Sequence, residues 1–473
     1  MTSRLKDAIS LLIYDTIQAR HTIFMVKSLS LSDDLDANIV NAKSHERPFL
    51  VAMFLLIYIA YGALGRDVFY NHMNSATAAL DDPIGRVLPY IRVSACILSF
   101  MVITMSAGLT WTISKIPLMF MPFCVLALAS SAWSDEPKQT ISNALMVTAM
   151  WLALPPIIHR IGLAQAMRSS LILISVVVII SAALAILVPS IGTHTGTEIV
   201  QAVHAGRWRG IFSHKNGLGP WAAYGSIFLF THSRFCGGWA IYWWVARACA
   251  LMCLFFSGSA TSLALMAFIF GTWCGFMLLR RQRLSIVMSA AFFIGILGIF
   301  VFVFFQDSVF GLLQRDSNLT GRTEIWSIAN GFIEQRPWFG SGYQTLGGPE
   351  FLNQLLLFFL QPIPGPESGY YCLLMELGIF GMVFLFVPFW ASIKNGMEWL
   401  KYVKLEDRAG IEFFLIMQLA TLVLAISESN ALVSTGFDGV IAFTGMFALL
   451  TTPKSPDKSL KGEFRLAKFL PKP

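Results

Sequence analysis

The residues with the clearest chemical potential lie in one polar loop, residues 307–376, set between two strongly apolar stretches. Arg322 falls in the first turn of an expected helix within this loop. Gly340 and Gly342 mark a turn at which the backbone can approach a ligand closely. Glu367 stands where the loop meets the next apolar stretch. A cation, a glycine turn and a carboxylate in one loop predict a site for a polar ligand.

A second group of polar residues precedes another apolar stretch, in the segment RWRGIFSHKNGLG. Its members are Arg207, Arg209, His214, Lys215 and Asn216. A bound anion would offset the positive charge of this group, and it would gain from the N–H donors at the start of the following helix. The alternative is that these basic side chains only anchor a helix at a membrane interface.

Membrane helices are the elements that must position both groups. Of the 473 residues, 56% are hydrophobic and 13% are charged, and the mean hydropathy is +0.65, values that exclude an ordinary soluble protein. Apolar runs long enough to cross about 30 Å of hydrocarbon as helices recur along the chain. The fold class predicted is all-α, a polytopic integral membrane protein. We expect about twelve transmembrane helices, at residues 48–64, 88–109, 116–133, 141–158, 170–188, 211–231, 238–257, 260–279, 285–305, 369–392, 411–427 and 436–452.

Lysine and arginine are distributed unevenly among the segments that connect these spans. Most of them lie in the N-terminal lead, the C-terminal tail and alternate connections. Because cytoplasmic loops are enriched in Lys and Arg, both termini are expected in the cytoplasm and the large loop on the opposite side. The net charge of +7 therefore follows from topology, and it does not indicate binding to nucleic acid.

The same pattern divides the chain into successive parts. They are a cytoplasmic amphipathic segment (1–47), spans one to nine (48–305), the large loop before the tenth span (306–368), spans ten to twelve (369–452) and a basic tail (453–473). Within the loop, the apolar stretch 351–360 is too short to span. It is expected to lie along the interface, or to dip into the membrane and return.

The seven cysteines lie almost all within or beside the spans, where cysteine behaves as a small hydrophobic residue. Cys249 and Cys253 share a helix face, but neither has a His or carboxylate neighbour in the sequence. We therefore expect no metal site and no cofactor.

Six segments, in this order and spacing, resemble the O-antigen ligase and Wzy-type polymerase superfamily, in particular its exopolysaccharide polymerase branch. They are LALASSAWSDEP, RGIFSHKNGLG, SGSATSLA, LTGRTEIW, RPWFGSGY and SGYYCLLMELGIFG. The resemblance implies a metal-independent glycosyltransferase that polymerises or ligates polyprenyl-diphosphate-linked repeat units at the periplasmic face of the bacterial inner membrane. The partners it implies are the glycan donor (on a carrier such as undecaprenyl diphosphate), a glycan acceptor, the lipid bilayer and other polysaccharide export or chain-length proteins.

The resemblance also implies roles for individual residues. Arg209 and Arg322 match the family's two arginines and are expected to hold the lipid diphosphate, a task that suits the planar, always charged guanidinium group. Members usually carry a His-Asn pair at the start of the next helix as the base for the acceptor hydroxyl, whereas this chain reads Glu-Ser there, beginning at Glu367. A carboxylate can accept a proton, so Glu367 is the expected base. The alternatives are that His204 or His214 is the base, or that activity is altered or lost.

Further substrate contacts are expected around these three residues, from Lys215, His214, Asn216, Arg207, Tyr370, Gly340, Gly342 and Glu428. Glu428 belongs to this group because an ionisable residue at the end of a span implies a cavity or a partner.

Two other classes of function remain as alternatives. A lipid-linked oligosaccharide flippase or a small-solute transporter should show paired charges near the midplane, broken helices in corresponding halves and an internal repeat. We see no repeat in the sequence, and its polar residues gather in loops. A non-catalytic component of a polysaccharide export complex is the other alternative, and the glutamate in place of the family histidine favours it.

Overall fold

The computed structural model of this chain describes residues 48–63, 83–196, 204–281, 322–345, 347–360, 363, 365–400, 403, 405–429, 432 and 437–451. The chain separates into a unit Met1–Leu50 and a unit Val51–Pro473, and the helices labelled below lie in the second unit. The amphipathic segment at 1–47, the expected span at 285–305 and the basic tail lie outside the described residues.

Regular structure in the described part of the chain is helical, apart from one isolated antiparallel bridge between Thr193 and Trp208. The α-helices are α1 (Pro83–Ala107), α2 (Leu109–Ser114), α3 (Met121–Ala129), α4 (Pro137–Ile161), α5 (Leu163–Leu187), α6 (Pro189–Gly192), α7 (Lys215–Thr231), α8 (Ala240–Ser257), α9 (Ala260–Arg281), α10 (Arg322–Gln335), α11 (Gly348–Phe359), α12 (Gly369–Trp399), α13 (Leu405–Leu424) and α14 (Phe437–Leu450). The all-α prediction is confirmed for these residues.

Six helices within the described residues are long and apolar enough to cross a membrane, namely α1, α4, α5, α8, α9 and α12. A multi-pass membrane protein is thereby confirmed, while the count of about twelve spans stays a prediction. The expected span at 116–133 is a shorter apolar helix, Leu118–Ala132, in which α3 is flanked by one 3₁₀ turn at each end. Pro117 caps the first turn and Pro122 opens α3, which fits the rule that proline is tolerated at a helix start and not in its interior.

Helix α13 is the centre of the bundle, since it packs against α5, α9, α12 and α14. Residues 409–418 of this helix are all buried, including the polar residues Glu412 and Gln418. Gly410 lies against Leu163, the first residue of α5. Because α5 and α13 also pack on each other, they start side by side and run in the same direction.

The large loop contributes two helices, α10 and α11, which form a small hydrophobic core with the beginning of α12. The buried members of this core are Ile325, Ala329, Phe351, Leu355 and Met375. Burial of this apolar surface stabilises the loop on α12. The loop therefore holds the first residue of α10 in a defined position beside the start of α12.

A second contact fixes the loop on α12 at the point where that helix is kinked. Gly378 has non-helical backbone angles (φ 62°, ψ −160°), so the helical hydrogen bonds are interrupted around it. The loop supplies replacements: the amides of Ser341 and Gly342 donate to the carbonyls of Met375 and Glu376, and those of Ile379 and Phe380 donate to the carbonyls of Pro337 and Trp338. Irregular backbone at membrane depth is tolerated where its polar groups are satisfied in this way.

The same loop segment also meets the turn between α3 and α4. The amide of Tyr343 donates to Oγ of Ser130 (3.1 Å), and Nε2 of Gln139 donates to the carbonyl of Gln344 (3.1 Å). The segments LALASSAWSDEP and RPWFGSGY, distant in the sequence, are therefore neighbours in the fold.

Candidate functional site

An ion pair between Arg322 and Glu367 lies at the junction of the loop and α12. Nε of Arg322 is 2.9 Å from Oε2 of Glu367. The arginine side chain is 12% exposed and the carboxylate side chain 40%, so the pair is half-open to its surroundings. Arg322 is the first residue of α10, and Glu367 stands two residues before α12 begins. Two sequence-predicted site residues are thus in direct contact.

The backbone holds Glu367 in an unusual conformation. Its φ of +49° lies in the left-handed region, which costs a residue with a side chain about 1–2 kcal/mol. Both neighbours are fixed, because Nε1 of Trp326 donates to the carbonyl of Pro366 (2.9 Å) and Oγ of Ser368 donates to the carbonyl of Ala425 (3.2 Å). Strained residues of this kind persist where the surroundings over-determine them, and they cluster at functional sites.

A stacked aromatic pair accompanies the ion pair. The rings of Trp326 and Tyr371 are 5.4 Å apart and inclined by only 9°. Each follows its charged neighbour by four residues, since Trp326 comes after Arg322 and Tyr371 after Glu367. A second set of contacts therefore joins α10 to α12 beside the ion pair. The sequence analysis did not identify this aromatic pair, although the four-residue spacing of each ring from its charged neighbour can be read from the sequence.

Tyr370 and Glu428 are placed around the start of α12. The hydroxyl of Tyr370 donates to the carbonyl of Leu422 (2.8 Å), which packs the phenol ring against α13. Gly369 lies beside the backbone carbonyl of Glu428, so the end of α13 meets the beginning of α12. The structure thus brings Tyr370 and Glu428 near Glu367, and their substrate contacts stay a prediction.

The predicted glycine turn has a protein partner. A side chain at Gly340 would overlap the backbone of Glu376 and Leu377, and a side chain at Gly342 would overlap Ser134. The close backbone approach at these two positions is therefore used to dock the loop on α12 and on the α3–α4 turn. Their contact with a ligand stays a prediction.

The second group of predicted residues surrounds the start of α7. The bridge between Thr193 and Trp208 brings the chain back after α5, and the carbonyl of Arg207 accepts from the amide of His194 (2.9 Å). Arg209 is buried, and its Nε donates to the carbonyl of Ile191 (3.0 Å). Its guanidinium group is thus held in place from one edge.

Three imidazole rings lie together in this group, those of His194, His204 and His214. Their centroids are 5.3–5.7 Å apart. Nε2 of His194 accepts from the amide of Lys215 (3.2 Å), and Nδ1 of His214 accepts from the amide of Asn216 (3.1 Å). His194 was not among the sequence candidates, since no pattern in the sequence links position 194 to position 215.

The protonation state of His214 follows from its surroundings. Burial lowers the pKa of His214 from 6.5 to about 3, and the charges of His194, His204, Lys215 and Arg209 lower it further in the same direction. The ring is therefore neutral near pH 7, which agrees with the acceptor role of Nδ1.

The start of α7 differs from the anion site that the sequence suggested. Its first three amides already have partners, because those of Lys215 and Asn216 donate to imidazole rings and that of Gly217 donates to the carbonyl of His214. Donors at this helix start are therefore used within the protein. Any anion at this group would be held by side chains.

Lys215 and Arg207 converge on Gly258, which follows α8. Nζ of Lys215 donates to the carbonyl of Gly258 (3.4 Å), and a side chain at Gly258 would overlap the guanidinium group of Arg207. Gly258 belongs to the SGSATS segment, whose Ser259 and Ser262 pack closely against Gly219 of α7. The SGSATS segment thus supports the basic residues through close packing.

Both groups lie at the same end of the helix bundle. Arg209 is hydrogen-bonded to Ile191, in the short helix α6 that follows α5. Ser368 is hydrogen-bonded to Ala425, the residue after α13. Since α5 and α13 start side by side and run in the same direction, their ends share one side of the bundle. Among the described residues, no group of three or more His, Cys, Asp or Glu side chains is arranged to hold a metal ion.

Two comparisons bear on this arrangement. The family model described as O-antigen ligase matches residues 245–386, a segment that contains Arg322, Glu367 and the kinked part of α12. A 144-residue stretch is 29% identical to the exopolysaccharide production protein ExoQ of Rhizobium meliloti (strain 1021), covering 29% of this chain and 33% of that protein. The chain thus matches about a third of the length of this curated relative. The matched range of the family model contains four of the six sequence segments that carry the resemblance, SGSATSLA, LTGRTEIW, RPWFGSGY and SGYYCLLMELGIFG.

Proposed function

We propose that this chain, a member of the O-antigen ligase and polymerase family, is a metal-independent glycosyltransferase of the membrane that polymerises or ligates polyprenyl-diphosphate-linked glycans. The observation that carries the proposal is the contact between Arg322 and Glu367 within the segment that the family model matches. A guanidinium group and a carboxylate at the edge of a membrane helix supply a phosphate-binding cation and a proton acceptor, the two groups that glycosyl transfer from a diphosphate requires.

The donor binds first in this scheme. Its lipid enters from the bilayer, and Arg209 and Arg322 hold the diphosphate. The Nε edge of Arg322 faces Glu367 in the structure, so the remaining edge of the guanidinium group is directed to the phosphate oxygens. Positive charge at this position offsets the negative charge that develops on the diphosphate as it leaves.

Glu367 acts in the second step. Glu367 keeps its contact with the Nε edge of Arg322 while the other edge of the guanidinium group holds the diphosphate. Glu367 then accepts the proton of a sugar hydroxyl on the acceptor glycan, whose oxygen forms a bond to the anomeric carbon of the donor. The bond from that carbon to the diphosphate breaks with inversion, and the lipid diphosphate leaves with the electron pair. Glu367 afterwards returns its proton to water.

The remaining site residues have supporting roles in the proposal. Substrate contacts are assigned to Lys215, His214, Asn216, Arg207, Tyr370, Gly340, Gly342 and Glu428. The reaction is placed at the periplasmic face of the bacterial inner membrane with both termini in the cytoplasm, and other polysaccharide export or chain-length proteins are the proposed partners.

Purified protein in lipid vesicles tests the proposal directly. The vesicles receive a polyprenyl-diphosphate-linked repeat unit, and the products are separated by size. We expect glycans of two or more repeat units together with released polyprenyl diphosphate. Transfer of the glycan lipid across the bilayer without any new glycosidic bond would contradict the proposal and support a transporter.

A non-catalytic role in an export complex is the second candidate, and one observation favours it. Glu367 replaces the family's histidine and is engaged by Arg322 in the structure. In a non-catalytic protein the ion pair would only hold the loop on α12, so exchanging the two residues (Arg322→Glu with Glu367→Arg) would preserve function. An enzyme with these residues in its site would lose activity after that exchange.

A further inference from the structure

Helix α11 changes character along its length. Its first half exposes polar side chains, those of Glu350, Asn353 and Gln354. Its last turn and the residue after it expose apolar side chains, with Leu357 76%, Phe358 61% and Leu360 86% exposed and Leu356 also exposed. Exposure of a contiguous apolar surface to water is unfavourable, so water is a poor environment for the last turn of α11.

The residue that ends α11 strengthens this observation. Leu360 adopts left-handed backbone angles (φ 55°, ψ 21°) as the C-cap of the helix. Glycine is the usual residue after a helix in this conformation, because it has no side chain to strain. The chain instead places here a large apolar side chain that is 86% exposed.

The level of α11 along α12 indicates what covers its apolar end. Phe351 and Leu355 on the inner face of α11 pack with Met375 of α12. Met375 precedes Ile379, the first exposed apolar residue on α12, by four residues. Helix α11 is therefore held against α12 close to the first exposed apolar residue of that helix.

The same loop already continues the lipid-facing surface of α12. Trp338 and Phe339 are exposed, and their rings contact that of Phe380, itself exposed on α12. Aromatic residues are enriched at this interface in membrane proteins. The loop thus extends the exposed apolar surface of α12 at Phe380.

We infer that the end of α11, residues Leu356–Leu360, inserts into the hydrocarbon of the adjacent leaflet, while Glu350, Asn353 and Gln354 stay among the lipid headgroups. The occupant of this apolar surface is the acyl chains of the bilayer. Insertion sets the depth of the loop, because Ile363 packs on the same core and Glu367 follows seven residues after Leu360. Arg322 and Glu367 are then held at headgroup height. The inference does not depend on the proposed function.

Nitroxide labels at two positions test the insertion. Asn353 and Leu357 are four residues apart, so they face the same side of α11 and differ by one helical turn along it. Asn353→Cys and Leu357→Cys are made in the full chain after Cys236, Cys249 and Cys274, the cysteines that are not buried, are replaced by alanine. Each labelled protein is placed in vesicles, and collision rates are measured with oxygen, which concentrates in hydrocarbon, and with a water-soluble nickel chelate.

We expect the Leu357→Cys label to collide at least several-fold more often with oxygen than with nickel, and the Asn353→Cys label to show the reverse preference. A Leu357→Cys label that prefers nickel would overturn the inference, since the tip would then lie in water. A label shielded from both reagents would also overturn it, because protein would cover the tip. Loss of oxygen access on adding a polyprenyl phosphate would assign the surface to the carrier's isoprenoid chain and overturn the bilayer assignment.

Discussion

Arg322 and Glu367, 45 positions apart in the sequence, meet with Nε 2.9 Å from Oε2. The contact joins the first residue of α10 to the residue before the cap of α12. The ion pair explains how the large loop holds the guanidinium group of Arg322 at a fixed place beside the start of α12. It also gives Glu367, the proposed base, a cationic partner.

Arg322 should be intolerant even of lysine. Lysine keeps the charge but lacks the planar fork that contacts a carboxylate and a phosphate together. In the vesicle assay we expect Arg322→Lys to reduce turnover at least tenfold and Arg322→Ala to reduce it about 10²–10³-fold. Arg336→Ala is the matched control, since Arg336 is an exposed loop arginine 3.9 Å from Asp135. Wild-type turnover in Arg322→Lys would contradict the proposal that the guanidinium group contacts Glu367 and the phosphate together.

Glu367 should be replaceable by another base and not by its amide. Glu367→Gln keeps the shape of the side chain but cannot accept a proton, so we expect turnover to fall about 10²-fold or more. Glu367→His restores the residue usual in the family and should retain a measurable rate. Turnover and donor binding are measured separately. If Glu367→Gln polymerised at the wild-type rate, the base would have to be sought elsewhere, first at His204.

Gly340 should be essential for docking the loop. Alanine at this position has both a left-handed φ of +64° and an overlap with the backbone of Glu376, so we expect a loss of several kcal/mol in stability. Gly331→Ala is the control, because nothing lies within 4 Å of the added methyl group and alanine favours a helix by about 1 kcal/mol. Thermal unfolding in detergent compares the two variants. Equal melting temperatures would contradict the observed docking.

The stability of the protein should fall in mild acid because of His214. Its folded-state pKa of about 3 lies below the unfolded value of 6.5, so the unfolded chain binds an additional proton between these two values. The contribution to the free energy of unfolding is complete above pH 6.5 and declines by about 1 kcal/mol for each pH unit below it.

His214→Asn isolates this effect. An asparagine oxygen can still cap the amide of Asn216, while the titrating group is removed. Melting temperatures measured between pH 5 and 8 should therefore match the wild type at pH 8 and decline less steeply below pH 6.5. An unchanged slope would assign the acid sensitivity to other groups.

The sequence predicted the membrane helices well where apolar runs are long and uninterrupted. Helices α4, α5, α8, α9 and α12 each cover an expected span, because burial in lipid requires continuous apolar helix and leaves little freedom. The span expected at 116–133 forms a shorter apolar helix, Leu118–Ala132, which starts directly after Pro117.

The candidate site was only partly predictable. Arg322, Glu367, Arg209 and Lys215 could be chosen from residue type and position relative to the spans. The pairing of Arg322 with Glu367 depends on how α10 and α11 fold back on α12, and no local pattern encodes that contact. The contact of His194 with the amide of Lys215 likewise depends on the bridge between Thr193 and Trp208. These two residues are 15 positions apart, in the connection between α6 and α7.

The glycines illustrate the same limit. Gly340 and Gly342 were expected where the backbone approaches a ligand closely, because glycine has no side chain to obstruct the approach. The sequence could not tell whether the approaching partner would be a ligand or another part of the chain, and the structure shows the backbone of α12 beside Gly340.

The most direct test of the central claim is the size of lipid-linked glycans in cells that lack the native gene and carry Arg209→Ala or Arg322→Ala. Membrane levels of each variant are measured beside the wild type. The account predicts that single repeat units accumulate on the polyprenyl carrier and that longer glycans disappear, at normal protein levels. Full-length glycans from both variants would contradict the account, because neither arginine would then be needed for transfer.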